Sequence, residues 1–237
     1  MELVRMLESY RGRDKIIRLC TYAAMCVGGS GQGNFHKKLL TISAELGGAR
    51  TTMRLFDDLS MLFSTLRYGT GAQEKNPVVR LMSLITNITY QIFFPVEHIY
   101  WLADKKVLTS FTPWKWVVGS LVAWAVALFA DIIKMVAKIV SLKKELKELK
   151  KQKLLQSSEE SEDQVRSERK TTVVSEIQES YLTLIQDMAD FTNAISWLPP
   201  GLVLWSGKLS RFQNGMFGMI SSIILLYKAW PSKQKSS

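Results

Sequence analysis

Side chains capable of catalysis or metal binding are few in this 237-residue chain, and they do not form a site. The two histidines, His36 and His98, are far apart and have no Cys, Asp or Glu at the spacing of metal ligands. Asp57 and Asp58 are adjacent, so on a helix they point in different directions and make a poor acid–base pair. The glycine run at 28–33 lacks the Gly-Lys-Ser/Thr ending of a phosphate-binding loop. We therefore predict a protein that is not an enzyme and has no catalytic, cofactor-binding or metal site.

The charge balance indicates an anionic partner. The chain has 31 Lys and Arg against 21 Asp and Glu, and 47% of its residues are hydrophobic. Nucleic acid and lipid are both anionic, but no recognition-helix, zinc-finger or sheet-aromatic pattern accompanies the lysines. Long apolar runs do accompany them, so we predict anionic membrane lipids as a partner and no nucleic acid. The two cysteines, Cys20 and Cys26, are too few for a disulfide framework, which favours a reducing compartment.

The segment 46–68 is the clearest candidate for contact with lipid. Wound as a helix at about 100° per residue, it gathers four of its charged side chains within an arc of roughly 100° and leaves a wide apolar arc. Such a helix suits a bilayer interface, with the charged strip among the headgroups. A packing helix of an ordinary helical domain fits the segment about as well. The charged strip is Arg50, Arg54, Asp57 and Asp58, and the predicted membrane-inserting face is Leu46, Met53, Leu55, Phe56, Leu59, Leu62, Phe63 and Leu66.

The elements around this segment are predicted to be helical. Apolar periodicity predicts a first helix over 3–27, which the glycine run then ends. Residues 36–68 are predicted to be helical in two pieces, hinged at Gly47 and Gly48. Residues 78–94 are apolar but interrupted by polar side chains, which predicts a buried or interfacial helix.

Two transmembrane helices are predicted farther along the chain. Residues 116–130 carry no charge, and the apolar pattern continues to the end of a first span within 113–140. Asp131 and Lys134 lie three apart on that span and can pair. The second predicted span is 211–230, which has basic and aromatic residues at its ends.

The remaining segments are assigned around these spans. Residues 1–112 are predicted to form amphipathic helices, and 231–237 a short basic tail. Between the spans, 141–210 is predicted to be a loop that contains a lysine-rich helix at 143–153 and a mobile linker at 156–170. The fold class predicted from the sequence is an all-α membrane protein, with N-terminal amphipathic helices followed by two transmembrane helices.

Two surfaces on the spans could bind other helices. Gly218 and Ser222 are four apart, which suits close helix packing, but the sequence favours the alternative of a glycine-containing span without a specific contact. At the end of the first span, apolar residues alternate three and four apart as in a coiled coil. The alternative there is a one-sided amphipathic helix. The residues predicted for self-association are Ile132, Met135, Ile139, Leu142, Leu146 and Leu149.

The chain resembles the peroxisomal membrane protein 11 family. The Phe-Asp-Asp turn at 56–58 and the Trp-Leu-Pro-x-Gly sequence at 197–201 look closest to its gamma (C) type. The resemblance extends over both ends and the middle of the chain and omits the lysine-rich segment and the linker. The segments that carry it are 8–29, 49–74, 95–104, 187–201 and 218–230.

This resemblance implies an integral protein of the peroxisomal membrane that promotes membrane protrusion, elongation and division. It implies two spans with both termini in the cytosol, self-association, association with family paralogues and contact with the fission machinery. It also implies that an amphipathic helix of the N-terminal half inserts into the outer leaflet, and the match places that helix within 46–68. Its alternative, an oligomeric pore or carrier for small metabolites, is suggested by Asp131, Lys134 and Lys138 in a span.

The charge distribution conflicts with the orientation that the resemblance implies. Six lysines at 143–153 follow the first span, against Lys105, Lys106 and Lys115 before it, so the positive-inside tendency predicts a cytosolic loop between the spans. A possible coat-binding tail, Lys233 and Lys235, instead favours cytosolic termini, although a solvated basic tail without a partner is the favoured alternative for those lysines. The lipid-inserting helix precedes the first span and must reach the outer leaflet, which faces the cytosol. We therefore expect a multi-pass protein with both termini in the cytosol and residue 160 in the matrix.

Overall fold

The computed structural model describes residues 2–155 and 160–230. Within those residues the chain is helical and contains no strand, so the predicted all-α class is confirmed. The helices are α1 (Glu2–Glu8), α2 (Tyr10–Gly29), α3 (Asn34–Arg54), α4 (Asp58–Tyr68), α5 (Pro77–Asp104), α6 (Pro113–Leu155), α7 (Glu160–Ser196) and α8 (Arg211–Ala229).

Helices α6 and α7 form a long antiparallel hairpin. Near one end Trp124 stacks on Trp197, with ring centroids 5.9 Å apart. Toward the other end Arg169 Nε donates to Glu145 Oε1 at 2.8 Å. Because α7 is already helical at residue 160, the predicted mobile linker over 156–170 is wrong for residues 160–170, and 156–159 lie outside the described residues.

Helices α5 and α8 extend this hairpin on its two sides. On α5, Asn76 caps the helix N-terminus and donates to Ser141 Oγ of α6 at 2.7 Å. On α8, Lys228 Nζ donates to Thr183 Oγ1 of α7 at 2.8 Å, and Asn193 Nδ2 donates to the backbone oxygen of Asn214 at 3.1 Å. Consecutive helices from α5 to α8 are therefore antiparallel neighbours.

Helix α2 packs against α8 at very short distance, and glycines make this possible. A Cβ atom at Gly215 would overlap the backbone of Cys26, and a Cβ at Gly218 would overlap the ring of Tyr22. The small-residue face predicted around Gly218 and Ser222 thus receives a helix, namely α2 of the same chain. The alternative, a span without a specific contact, is wrong.

Helices α3 and α4 are separated at a different place from the one predicted. Helix α3 continues through Gly47 and Gly48, where the side chains of Thr51 and Thr52 donate to their backbone oxygens. The break lies at residues 55–57, where the backbone N–H groups bond three residues back and the helix tightens before α4 begins. The two helical pieces are confirmed, but the hinge at the glycines is wrong.

One helix in the described residues is long and apolar enough to cross a membrane, and it covers Pro113–Lys151. It contains the first predicted span at 113–140. The second predicted span, 211–230, matches the bounds of α8, but α8 does not meet the same criterion. One face of α8 carries Asn214, Ser221 and Ser222, all buried, and these side chains lower its mean hydropathy.

The predicted self-association seam on α6 is used within a single copy of the chain. Ile139 and Leu142 are 6% exposed, and α6 packs against α5 and α7. The other four members, Ile132, Met135, Leu146 and Leu149, are half-buried. In this arrangement α5 and α7 cover the apolar stripe that a second copy of the chain would need. The seam is therefore an internal packing face.

Candidate functional site

Helix α4 presents an exposed apolar face, which begins in the turn before the helix. Phe56 is 76% exposed, Phe63 75% and Leu66 68%, and Leu59 and Leu62 are exposed as well. These five residues, called the α4 apolar face below, are members of the membrane-inserting face that the sequence predicts. Large apolar side chains left contiguous on a surface mark a site for a protein or a membrane.

The other three predicted members lie deeper. Leu46, Met53 and Leu55 are half-buried, because they belong to α3 or to the break after it and face neighbouring helices. The continuous helix predicted over 46–68 is therefore replaced by a shorter exposed unit, α4 with Phe56.

The charged strip predicted to lie among headgroups is instead engaged inside the protein. Arg50 is buried, and its Nε donates to Asp14 Oδ1 at 2.8 Å. Arg54 donates from Nε to Glu97 Oε2 at 3.0 Å and from Nη2 to Oε1 at 2.5 Å. These pairs fasten α3 to α2 and to α5, so the assignment of the arginines to the lipid surface is wrong. Buried arginines are retained only with a partner, which explains why they turn inward.

A cavity of about 320 Å³ lies between α2, α4 and α5, behind the α4 apolar face. Its walls include Tyr10, Lys15, Asp57, Ser60 and Tyr90. Burial raises the pKa of the Asp57 carboxyl, and the Asp14 carboxylate raises it further. Burial lowers the pKa of the Lys15 amine. Burial raises the pKa of the Tyr10 hydroxyl, and the negative charge of Asp57 raises it further. The α3–α4 break therefore contains a carboxylate in an unfavourable environment.

Arg18 forms the centre of an interior polar cluster that the sequence did not reveal. It pairs with Asp190 of α7, and it donates to Ser221 Oγ at 2.8 Å and to Ser222 Oγ at 3.2 Å on α8. Its guanidinium also lies 5.4 Å from the Tyr22 ring centroid. The available signal was a single arginine within the apolar run at 16–20, which indicates a paired buried charge but does not identify the partner.

A second interior pair lies on α6. Asp131 and Lys134 form the predicted ion pair, and Thr86 of α5 donates to Asp131 Oδ1 at 3.0 Å. The pairing is confirmed because residues three apart on a helix are neighbours whatever the rest of the fold does.

The remaining reactive residues are dispersed. His36 lies beside Gly31 in the α2–α3 turn, and His98 contacts the backbone oxygen of Leu55 at 3.2 Å. Among the described residues no three His, Cys, Asp or Glu side chains are grouped so as to hold a metal ion. The predicted coat-binding residues, Lys233 and Lys235, lie outside the described residues.

Comparison with known proteins gives a consistent result along the whole chain. A sequence model of the family described as peroxisomal biogenesis factor 11 matches residues 1–230. The mouse protein named peroxisomal membrane protein 11C is 34% identical over 228 residues, which cover 94% of this chain and 90% of the mouse protein. The human protein of the same name is 34% identical over 233 residues, covering 96% of this chain and 92% of the human protein. No solved structure matches the chain significantly.

Proposed function

Because the chain belongs to the peroxisomal biogenesis factor 11 family and is similar to two proteins named peroxisomal membrane protein 11C, we propose that it remodels the peroxisomal membrane. It promotes protrusion, elongation and division of the organelle by inserting an apolar helical face into one leaflet. It acts as a membrane protein and not as an enzyme.

The α4 apolar face is the observation that supports this mechanism. It places five large apolar side chains on one short helical unit, at a position where none of them is buried in the protein. Full burial of a large apolar side chain is worth about 1.5–3 kcal/mol, so even partial insertion of five exceeds a marginal surface contact. Arg67, exposed in the last turn of α4, remains available to the headgroup region.

The shape of the inserting unit favours curvature. Helix α4 has 11 residues and is about 16 Å long, which is close to the thickness of one leaflet. It lies along α5: Arg80 donates to the backbone oxygen of Thr70 at 2.8 Å, Gln91 Nε2 donates to Thr65 Oγ1 at 3.0 Å, and His98 contacts the backbone oxygen of Leu55 at 3.2 Å. A helix that widens the protein in one leaflet expands that leaflet relative to the other. The membrane then becomes convex on the side of the expanded leaflet.

We further propose how the protein is oriented in the cell and what it contacts there. Both termini face the cytosol, so that the α4 apolar face reaches the outer leaflet. Anionic lipids attract the basic chain, whose formal net charge is +10. Copies of the protein and its family paralogues associate, and the fission machinery acts on the membrane that they extend. The tail residues Lys233 and Lys235 are proposed to contact coat proteins.

The test is the double substitution Phe56→Asp with Phe63→Asp. Both side chains are about three-quarters exposed, so the change leaves the packed interior intact while it places two charges on the inserting face. We expect the variant to reach peroxisomes and to lose peroxisome elongation on overexpression, measured by fluorescence microscopy.

The matched control is Thr70→Asp with Gln73→Asp. It adds the same charge at exposed positions in the loop that follows α4. Elongation should persist in this control. Normal elongation by the correctly localised Phe56/Phe63 variant would contradict the mechanism.

A further inference from the structure

The C-terminal half of α7 has the surface of a membrane helix. Between residues 181 and 198 its exposed side chains are Tyr181, Ile185 and Met188, all apolar or aromatic. Its buried face is mixed, because beside alanine, isoleucine and leucine it buries four polar side chains: Asp187, Asp190, Asn193 and Ser196. A water-soluble helix shows the opposite distribution, with the apolar stripe inside and the polar face outside.

Helices α5 and α8 show the same reversed distribution, whereas α6 exposes apolar side chains and buries chiefly alanine, leucine and isoleucine. Over 214–226, α8 exposes Met216, Ile220 and Ile223 and buries its asparagine, glycines and serines. Over 81–96, the exposed residues of α5 are Leu81, Ile88, Ile92 and Pro95. Over 116–142, those of α6 are Gly119, Val122, Val126, Phe129, Val136 and Val140.

These four segments lie side by side. The pairs Trp124–Trp197 and Phe129–Phe191 hold α7 against the part of α6 that is long and apolar enough to cross a membrane. Lys228 of α8 reaches Thr183 of α7, at the opposite end of the same stretch. Residues 181–196 rise about 24 Å as a helix, which approaches a hydrocarbon core of about 30 Å. If α6 crosses the bilayer, its neighbours lie at the same depth.

We propose that α5, α6, the C-terminal half of α7 and α8 cross the membrane together as four antiparallel spans, with their exposed apolar stripes forming one belt against the lipid acyl chains. Hydropathy averaged along a helix identifies α6 alone, because the other three carry polar side chains on the faces that they bury. Helix α2 also lies along α8, with Cys26 at Gly215 and Tyr22 at Gly218. Helices α2 and α3 are antiparallel, since Ser43 bonds Thr21 and Arg50 bonds Asp14, so together they return the chain to its starting side and do not change which ends of the four spans share a side.

Four crossings determine which segments share a side. The C-terminal end of α6 and the N-terminal end of α7 then lie on the same side as Glu2 and Trp230, which also meet each other: Trp230 Nε1 donates to Glu2 Oε2 at 2.6 Å. The α5–α6 and α7–α8 connections lie on the other side. This arrangement removes the conflict between charge and orientation, because the six lysines at 143–153 and the two termini are all cytosolic. Residue 160, predicted from two spans to lie in the matrix, becomes cytosolic as well.

Single cysteines test the crossing number. In a Cys20→Ser, Cys26→Ser background, one exposed residue at a time is replaced: Glu8→Cys and Ser167→Cys on the proposed cytosolic side, Thr109→Cys and Leu204→Cys on the matrix side. Intact peroxisomes are treated with a membrane-impermeant maleimide before or after detergent. We expect residues 8 and 167 to react before detergent, and residues 109 and 204 only after it. Protection of 167 while 8 reacts, or reaction of 204 before detergent, would overturn the four-span arrangement.

A second measurement examines the belt itself. Ile185→Cys and Ile223→Cys carry a fluorescent label in the purified chain reconstituted in vesicles, with Ser167→Cys as the control. We expect lipid-borne bromine to quench the labels at 185 and 223 and to leave the label at 167 unquenched. Equal quenching by a water-soluble agent at 185 and 167 would contradict the belt. The inference rests on the proposed membrane location but not on α4, so a Phe56/Phe63 variant that still elongates peroxisomes would leave both measurements valid.

Discussion

At the scale of the residue, the interior depends on charges that are paired across distant parts of the chain. Arg18 joins α2 to α7 through Asp190 and to α8 through two serine hydroxyls. Each partner is nearly inaccessible to solvent, so neither charge can return to water without moving a helix. A buried pair of this kind contributes little relative to an apolar pair of the same size, but leaving one charge alone is strongly destabilising.

We therefore expect Arg18→Met to lower the free energy of unfolding by about 3–5 kcal/mol, since Asp190 then remains buried without its cation. The double variant Arg18→Met with Asp190→Leu should recover most of that loss. Thermal unfolding in detergent measures both. Arg13→Met, at an exposed position on the same helix, is the control, and an equal loss in Arg13→Met and Arg18→Met would contradict the role of the pair.

At the scale of the element, glycines determine how close α2 and α8 approach. Tyr22 lies over Gly218 and stacks on Trp197, with ring centroids 6.3 Å apart. The glycine is required here by contact with a neighbouring helix and not by its backbone conformation. Gly48, in the middle of α3, has no atom within 4 Å of the place where a Cβ would be built.

The two glycines should respond to alanine in opposite directions. We expect Gly218→Ala to destabilise the chain by about 1–3 kcal/mol, because the added carbon overpacks the Tyr22 ring. Gly48→Ala should stabilise it by about 0.5–1 kcal/mol, because alanine has the lower entropic cost in a helix. Melting temperatures in one detergent give the comparison, and a shift of the same sign in both variants would refute the close approach of α2 and α8.

At the scale of the whole molecule, aromatic side chains fill the space between α2, α6 and α7. Tyr22, Trp197 and Trp124 stack in succession across α2, α7 and α6. Asp131, which suggested a pore, is already bonded to Lys134 and Thr86. Its charge is therefore satisfied by the fold and is not available to a passing ion.

We expect the purified protein to deform liposomes without making them permeable. Electron microscopy records tubules, and release of a trapped fluorescent dye records flux. The Phe56→Asp, Phe63→Asp variant should abolish tubules without changing the dye signal. Rapid dye release by the unaltered protein would favour the pore or carrier instead.

The sequence by itself determined the features that depend on residues close together along the chain. Helix content, the apolar residues of α4, the apolar span within α6 and the Asp131–Lys134 pair all follow from periodicity or from spacings of three and four. The continuation of α6 to Leu155 does not, since residues beyond 140 are predicted from the sequence to belong to a loop. The family was also evident from short segments spread along the chain, and the match over residues 1–230 confirms it.

Only the tertiary structure decided what depends on distant residues. Arg50 and Arg54 looked like headgroup ligands, but carboxylates on other helices draw them inside. Arg18 and Asp190 are 172 residues apart, and no periodicity connects them. Helices α5, α7 and α8 bury polar side chains, so their mean hydropathy is modest. Their exposed apolar faces, which resemble that of α6, are recognised only when exposed and buried residues are considered separately. A linear sequence averages those faces, whereas packing assigns each side chain to one of them.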